Sequence, residues 1–461
     1  MTGRWTRVLV VVTALAVGLA ASASALDFKE ALTQGLAKSD RILAAKAAYD
    51  KARMQRYSTL GNFGPQLNLS VQKIWLKVDN TFKTGTVTIP PEYQEFAPLI
   101  AALFSGMDLA ALTAVPNHND DLKLTAYQPL SQLFQIGFYE RMAQDGQDIA
   151  QLTYEVTQDQ IALFLGQIYF NVLLAGKKVE TYERALTQVD RLVKDGQAML
   201  AQGLITKADL LKFQIRHGEV DLQLLQARQD LEMARALVAR LLDMPVEQVV
   251  CRDVEPAPVE PLDLNHYMDA GTAARRELKI TRLAERVARS AKTAAYLQLL
   301  PNIGAVGSAD WNDDGLITTP DRTYAAGFSL DWNFWSWGRD FHAARAADYD
   351  AKRARYEAHA SATDILLSIE KAWRDDRVSH EAVRMQKTTL DEAEENFRIE
   401  QARYKVGKST TTDLLGAQTQ LTGAQAGYAA ARYGAVLADA ALRVAVGQSP
   451  FPDVMGGKSH E

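Results

Sequence analysis

Gly407, Lys408 and Ser409 have the residue types with which a phosphate-binding loop ends. Such a loop needs another glycine five positions before Gly407 and a strand in front of it. The chain has Ala402 there, and the preceding segment has a helical pattern. We therefore exclude nucleotide binding at this segment.

A second group of oxygen-bearing side chains has the spacing of a calcium loop. Asp310, Asn312 and Asp314 alternate, Gly315 follows, and Asp321 stands at the twelfth place. Such oxygens around a glycine would suit Ca²⁺. The flanking segments alternate in polarity like strands, and Asp-Gly is common in hairpin turns. A hairpin turn is the favoured interpretation, and calcium binding is the alternative.

The seven histidines show no pairing at i,i+3 or i,i+4 that would suggest a zinc site. The sequence also has no nucleophile motif and no glycine-rich cofactor fingerprint. We therefore expect no enzyme, no metal and no cofactor.

Asp209 and Asp413 stand six residues after Gly203 and Gly407. Each acid completes a Thr-x-x-Asp capping box that would begin a helix, with the acid near the positive end of the helix dipole. The two glycines predict the turns in front of these helices.

The two aspartates correspond because the chain is duplicated. The stretch 154–240 aligns with the stretch 204 positions later, and the N-terminal parts align with an offset of 236. The pairs that fix these offsets are Asp209 with Asp413, Gly203 with Gly407, Gly35 with Gly271, Pro65 with Pro301, and Trp75 with Trp311. A duplication of this length predicts two halves of one architecture, a first repeat over 26–243 and a second over 264–447.

The first 25 residues have the features of a secretory signal: Arg4 and Arg7, an apolar run over 8–19, and Ala23-Ser24-Ala25 before the expected cleavage. Loss of both arginines would change the net charge from −5 to −7, which argues weakly against a nucleic-acid partner. Cys251 is the only cysteine, so no disulfide within the chain is possible.

Alternating polarity predicts four strands, at about 66–79, 121–134, 302–311 and 323–335, with a bulge near Lys73. In the last strand Phe328 and Leu330 alternate with Ser329 and Asp331. Such segments are typical of a membrane β-barrel, and the alternative is a half-buried strand of a soluble sandwich. Five tryptophans favour the barrel, because Trp collects at bilayer interfaces. They are Trp75, Trp311, Trp332, Trp335 and Trp337.

Heptad-like and proline-free stretches predict long helices. Their expected ranges are 28–60, 138–200, 206–243, 339–405 and 410–446, with hairpin tips near 203 and 407. A proline-rich linker at 244–263 would join the repeats, and we expect the tail at 448–461 to be loosely ordered. The insertion at 80–120 contains an apolar stretch over 96–112 that is predicted to be helical.

Four strands cannot close a barrel, and open sheet edges cannot face lipid. Closure therefore needs several chains: two would give eight strands, and three would give twelve strands around an open lumen.

The order and spacing of these segments resemble the TolC family of outer membrane efflux proteins across the whole mature length. The residues that carry the resemblance are Gly64-Pro65 and Leu300-Pro301, the strand ends Gln128-Pro129-Leu130 and Trp332-Asn333-Phe334, and Arg403 to Gly407 leading into Thr412 to Leu415. The implied fold is mainly α with membrane β, a homotrimer with a twelve-stranded barrel in the outer membrane of a Gram-negative bacterium and a long helical barrel in the periplasm.

The resemblance also implies partners and sites. The partners would be outer membrane lipid, a periplasmic adaptor protein, and an inner-membrane pump or ABC exporter. Asp209, Asp413 and Tyr404 would lie at the periplasmic aperture, and the turns at Gly203 and Gly407 would contact the adaptor. The family's second acid, three residues after the first, is Gly416 in this chain. Asp209 and Asp413 are thus either helix caps alone or caps that also form an acidic ring.

The function that follows is a passive exit duct for a tripartite efflux or type I secretion system. The alternative is a membrane-anchored periplasmic stalk or adhesin without transport. The cargo cannot be predicted, since a wide lumen needs little recognition chemistry.

Overall fold

A computed structural model describes residues 26–75, 90–104, 118–253, 263–313 and 322–452. The first half contains α1 (Phe28–Lys38), α2 (Asp40–Gly61), β1 (Gln66–Trp75), α3 (Ala97–Phe104), β2 (His118–Pro129), α4 (Leu133–Ala201) and α5 (Lys207–Leu242). The second half contains α6 (Leu264–Ala274), α7 (Arg276–Leu297), β3 (Asn302–Asp313), β4 (Arg322–Asp331), α8 (Arg339–Lys405) and α9 (Thr411–Ala445). The predicted duplicated order of helices and strands is confirmed. The predicted signal segment, 1–25, lies outside the described residues.

The helix predicted over 28–60 is wrong, because an extended residue divides it into α1 and α2. Ser39 has ψ 114°, and Arg275 breaks α6 from α7 in the same way with ψ 121°. The breaks lie 236 positions apart, so both halves share them. Phe28 and Leu32 of α1 are buried, whereas Ile42 is the one buried residue of α2. The change of direction lets the short first helix pack into the core.

The four strands form one antiparallel sheet in the order β1-β2-β3-β4. Each residue of β1 from Gln66 to Trp75 pairs with one residue of β2, so the predicted bulge near Lys73 is wrong. Trp75 consequently shares a face with Leu67 rather than with Ile74. Regular pairing across the whole strand outweighs the local change in polarity that suggested the bulge.

Two predicted strand ends need correction, those of β2 and β4. β2 ends at Pro129, and α4 begins at Leu133, so 130–134 is not strand. β4 ends at Asp331, because the chain then turns through Trp337 (φ 51°) and Gly338 (φ 76°) into α8. Residues 76–79 of the first predicted strand lie outside the described residues. In the insertion, α3 confirms the helix predicted over 96–112 from Ala97 to Phe104, a 3₁₀ turn (Pro91–Phe96) precedes it, and 105–112 is not described.

The chain divides into two compact units. The unit formed by 45–154 and 276–363 contains the sheet and the helical segments next to it. Arg56 of α2 pairs with Glu140 of α4 at 3.1 Å, and Asp145 of α4 pairs with Arg286 of α7 at 2.5 Å. Within this unit the helical segments are therefore joined in the same order as the strands they flank.

The last link in that series joins α7 to α8. Lys292 of α7 contacts Asp348 of α8 at 2.6 Å, and Lys352 contacts the same carboxylate at 2.9 Å. Hydrogen bonds from the two ammonium groups lower the pKa of Asp348 to about 2. In the folded protein the Asp348 carboxylate is therefore charged at neutral pH.

The other unit contains 155–275, 364–452 and the chain from 26 to 44. Its packing corrects the prediction of a loosely ordered tail. Phe451 is buried, and its ring lies edge-on to Phe28 at 4.8 Å. It also lies where a side chain on Gly166 would be, 2.5 Å from a Cβ built there. The tail is therefore packed against the core as far as Phe451, and 453–461 is not described.

The first part of the linker is also packed in this unit. Leu26 donates its N–H to the carbonyl of Val250 at 2.6 Å, and Arg252 donates to the carbonyl of Leu26 at 3.1 Å. The hydroxyl of Tyr169 donates to the same Leu26 oxygen at 2.9 Å. The linker residues 254–262 are outside the described part of the chain.

Both long helices are confirmed: α8 has its predicted bounds, and α4 begins at Leu133, five residues before the predicted start. α4 has 69 residues and α8 has 67, so each is about 100 Å long at 1.5 Å per residue. The apolar seam of α4 is buried at Ile161, Leu165, Ile168, Val172 and Val189. None of the described helices combines the length and apolarity that a membrane-spanning helix requires.

Candidate functional site

The two hairpin tips end their long helices with the same turn. Gly203 and Gly407 have φ values of 72° and 69°, in the left-handed region where glycine is favoured. At the first tip, Leu204 donates to the carbonyl of Met199 and Gly203 donates to that of Leu200, both at 2.9 Å. This pair of bonds is a Schellman motif, which satisfies the last carbonyls of the helix. The second tip repeats it.

A capping box then starts each return helix. At Asp413, the backbone N–H donates to the hydroxyl of Thr410 at 3.1 Å, and the carboxylate accepts from the Thr410 N–H at 3.3 Å. Thr206 and Asp209 make the same bonds at the start of α5. The predicted caps are confirmed in both repeats. Hydrogen bonds from the two threonines hold the pKa of Asp209 and Asp413 below the usual aspartate value.

A shared core lies behind the tips. It contains Leu192 of α4, Phe213 of α5, Phe397 and Tyr404 of α8, and Leu414 of α9. Phe213 is completely buried and meets the Tyr404 ring edge-on at 5.9 Å. The Tyr404 hydroxyl lies 3.4 Å from that of Thr411. Tyr404 thus joins the two hairpins within one chain, and a place at the aperture stays a prediction.

Two polar contacts between the return helices escaped the sequence analysis. Lys212 of α5 donates to the Thr412 hydroxyl of α9 at 3.2 Å, and it also lies 3.5 Å from Asp209. Deeper in the structure, buried Arg216 donates to the side-chain oxygen of Gln418 at 3.1 Å. The only signal for the second contact was a glutamine inside the apolar seam between Leu414 and Leu421.

The strand register separates an apolar face of the sheet from a polar one. One row across the four strands contains Leu69, Leu124, Ala309 and Tyr324, and the next row contains Ser70, Lys123, Asp310 and Thr323. The apolar side chains are open to solvent in the isolated chain: Leu67 is 71% exposed and Phe328 is 80% exposed. No segment of the chain that the structure describes covers this face.

The tryptophans lie at the two ends of that face. Trp75 and Trp311 share it near one end of the sheet, since Val71 pairs with Leu122 and Leu122 with Trp311. Trp332, Trp335 and Trp337 follow β4 at the end where the helices attach, and all three are exposed. The ten-residue strand β4 spans ~33 Å along its axis, or ~25 Å along the normal of a bilayer at a 40° tilt. That height matches the apolar band of an outer membrane barrel.

The calcium alternative is only partly visible. Asp310 and Asn312 lie on the polar face of β3, whereas Asp314, Gly315 and Asp321 lie outside the described residues. Among the residues that the structure describes, no three His, Cys, Asp or Glu side chains are arranged to hold one metal ion.

Residues 271–448 match the family model described as outer membrane efflux protein. The alkaline protease secretion protein AprF of Pseudomonas aeruginosa is 24% identical over 291 residues, 61% of this chain and 60% of that protein. Outer membrane protein TolC of Escherichia coli is 20% identical over 321 residues, 67% of this chain and 65% of TolC. The part of each relative that this chain matches is about three fifths of that relative's length.

The fold is also that of a solved structure, the outer membrane protein VceC of Vibrio cholerae. The two chains superpose with a TM-score of 0.76 at 15% identity, over 92% of this chain and 96% of VceC. At this identity the likeness concerns the fold.

Proposed function

We propose that three copies of this chain, which is a member of the TolC-like family of outer membrane efflux proteins, form a passive exit duct through the outer membrane. The sheet carries this proposal. One face is apolar and exposed, the other is polar, and among the described strands the outer ones, β1 and β4, each pair on one side only. Three such sheets would close a twelve-stranded barrel with lipid outside and water inside.

The helices fit the same assembly. α4 and α8, at about 100 Å, are far longer than a globular domain needs. In a trimer they would pack side by side around a periplasmic tunnel that ends at the tips near Gly203 and Gly407. The chain itself would do no chemistry, and the energy for transport would come from an inner-membrane partner.

The proposed partners are a periplasmic adaptor at the hairpin tips and an inner-membrane pump or ABC exporter. The name of AprF concerns secretion of a protease, which supports a type I secretion system as one setting for this chain. The cargo could equally be a small molecule, because a wide lumen needs little recognition chemistry.

Single-channel recording in planar bilayers, together with native mass measurement, tests the proposal. We expect discrete, stable conductance steps from a species of three chains. A membrane-anchored stalk or adhesin would carry no current at any protein concentration. The variant Phe328→Arg, which places a charge on the apolar face, serves as an assembly-deficient control and should yield no steps.

A further inference from the structure

One position in the second repeat breaks the apolar seam that the first repeat keeps. Asp376 of α8 corresponds to Val172 of α4, 204 positions earlier, and His380 corresponds to Gly176. Both seam positions are buried, with Val172 4% exposed and Asp376 2% exposed. The duplication thus shows that an apolar side chain fits this place, and that the second repeat has a carboxyl group there instead.

The buried carboxyl group and the histidine face each other without a hydrogen bond. Asp376 Oδ1 and His380 Nε2 lie 3.5 Å apart, one helical turn from each other on α8. Neither atom has another partner among the described residues. A buried polar atom without a hydrogen-bond partner is energetically costly. Two such atoms that face each other therefore indicate that a proton is held between them.

The neighbouring helix supplies no substitute. From α9, Asp439 and Arg443 face Asp376, but these two are joined to each other at 2.9 Å. Burial raises the pKa of Asp376 above the usual aspartate value, His380 and Arg443 oppose that shift, and Asp439 adds to it. The surroundings therefore favour a proton on or next to this carboxyl group.

We propose that Asp376 and His380 share one proton, and that this proton is needed for tight packing of α8 against α9. The second hairpin therefore loosens around Asp376 as the pH rises. The proton is held in one of two equivalent ways: the imidazolium N–H donates to the carboxylate, or the carboxyl O–H donates to the neutral ring nitrogen. In both forms a single hydrogen bond satisfies both unpartnered atoms. Loss of the proton to solvent leaves a bare carboxylate inside the seam.

The sign of the effect follows from linkage. A group whose proton affinity is higher in the folded state stabilises that state at low pH, and the contribution is lost as the pH rises through the folded-state value. The contribution is therefore expected to be lost as the pH rises through the value at which the shared proton leaves the pair. Val172 does not titrate, and the first hairpin should not respond.

Hydrogen exchange on the full-length protein in detergent tests this, with protection factors corrected for the intrinsic effect of pH. We expect peptides covering 370–384 to lose protection between about pH 6 and about pH 8, by no more than about tenfold per pH unit for one proton. Peptides covering 166–180 in the first repeat are the internal control and should keep theirs.

Two variants complete the test. Asp376→Val, which copies the first repeat, should abolish the pH dependence and raise protection at the higher pH. His380→Gln should lower protection at the lower pH towards the higher-pH level. A wild-type protection factor that does not change with pH, or an unchanged dependence in Asp376→Val, would overturn the proposal. Protection restored at high pH by zinc ions, and only with both side chains present, would overturn it in favour of a metal.

Discussion

Asp209 and Asp413 hold the first turns of the two return helices. Each carboxylate accepts hydrogen bonds from its threonine, which keeps its pKa below the usual value. A lowered pKa gives a contribution that is present above the aspartate value of the unfolded chain and is lost as the pH falls through the folded-state value. The caps should therefore persist at neutral pH and fail only in strong acid.

The ring role of Asp413 can be separated from its capping role by two substitutions. Asp413→Ala removes both the charge and the cap, whereas Thr410→Ala weakens the cap and keeps the charge. If three copies line the aperture, Asp413→Ala should lower the cation selectivity of the purified channel, because carboxylates attract cations electrostatically. Thr410→Ala should leave the current–voltage curve unchanged. Equal curves for both variants would leave Asp413 as a cap alone.

The turn at Gly407 offers a second test at a single residue. Its φ of 69° costs about 1–2 kcal/mol for a residue with a Cβ, so Gly407→Ala should lower the free energy of unfolding by about that much. The control is Gly416→Ala in α9, where a Cβ meets nothing within 4 Å. Helix propensity predicts that this change raises stability by about 1 kcal/mol. Denaturant melts showing the same sign for both would contradict the assigned turn.

The sequence was sufficient for the caps and the turns, because Thr-x-x-Asp and the glycine six residues earlier act within one turn of chain. It was not sufficient for Tyr404. The ring packs on Phe213, 191 positions away along the chain, and nothing near Tyr404 in the sequence records that neighbour. The contact of Lys212 with Thr412 was missed for the same reason.

At the scale of elements, two glycines let the short helices approach the long ones. A Cβ on Gly35 would lie 2.7 Å from Leu165, and one on Gly271 would lie 2.4 Å from Ile369. The two contacts are equivalent in the duplication. They explain why α1 and α6 must carry glycine where their faces meet α4 and α8.

Gly271→Ala should therefore destabilise the protein by about 1–3 kcal/mol, the usual cost of overpacking a core. The atom in the way is the terminal methyl of Ile369, so the double variant Gly271→Ala, Ile369→Val should recover part of the loss. Thermal melts of both variants and of Ile369→Val alone measure the coupling. Strict additivity of the two single changes would contradict the close contact.

The sheet predicts opposite outcomes for adjacent residues of β4. Phe328 lies on the apolar face and Ser329 on the polar face. Phe328→Arg should impair membrane assembly, by about 2–4 kcal/mol if the side chain lies at the bilayer midplane. Ser329→Arg should assemble normally, because its charge would be hydrated in the lumen. Heat-modifiable mobility on gels after membrane extraction distinguishes folded from unfolded protein for each variant.

The periodicity of the sequence predicts which helices and strands form, but it does not predict where they end. The two-residue alternation of β4 and the heptad seam of α4 were visible in the sequence. The end of β4 at Asp331 was not, because Trp332 and Phe334 continue the alternation while the backbone has left the sheet. The breaks at Ser39 and Arg275 depend on which face packs, a tertiary property that helix propensity does not contain.

At the scale of the whole molecule, a single chain is incomplete. Its sheet has two open edges, at β1 and β4, and an apolar face with no covering segment among the described residues. The long helices α4 and α8 likewise need helices of neighbouring chains to pack against. Both features are satisfied together when β1 of one copy pairs with β4 of the next and the series closes after three.

Covalent linkage of those two edges tests this closure most directly. Cys251 is first replaced by serine, although burial raises its pKa to about 11 and so lowers the reactivity of the thiol. Ser70→Cys on β1 is then combined with Ala325→Cys, Gly327→Cys or Ser329→Cys on β4. All these positions lie on the polar face. A bond forms only where two Cβ atoms come within about 3.5–4.5 Å, so the three partners also find the register.

Mild oxidation of membranes should convert at least one of these double variants into a covalent ring of three chains that reductant returns to monomers, while each single variant stays unlinked. A product that stops at two chains, a ladder that extends beyond three, or no product for any register would contradict a trimeric barrel closed by β1 and β4.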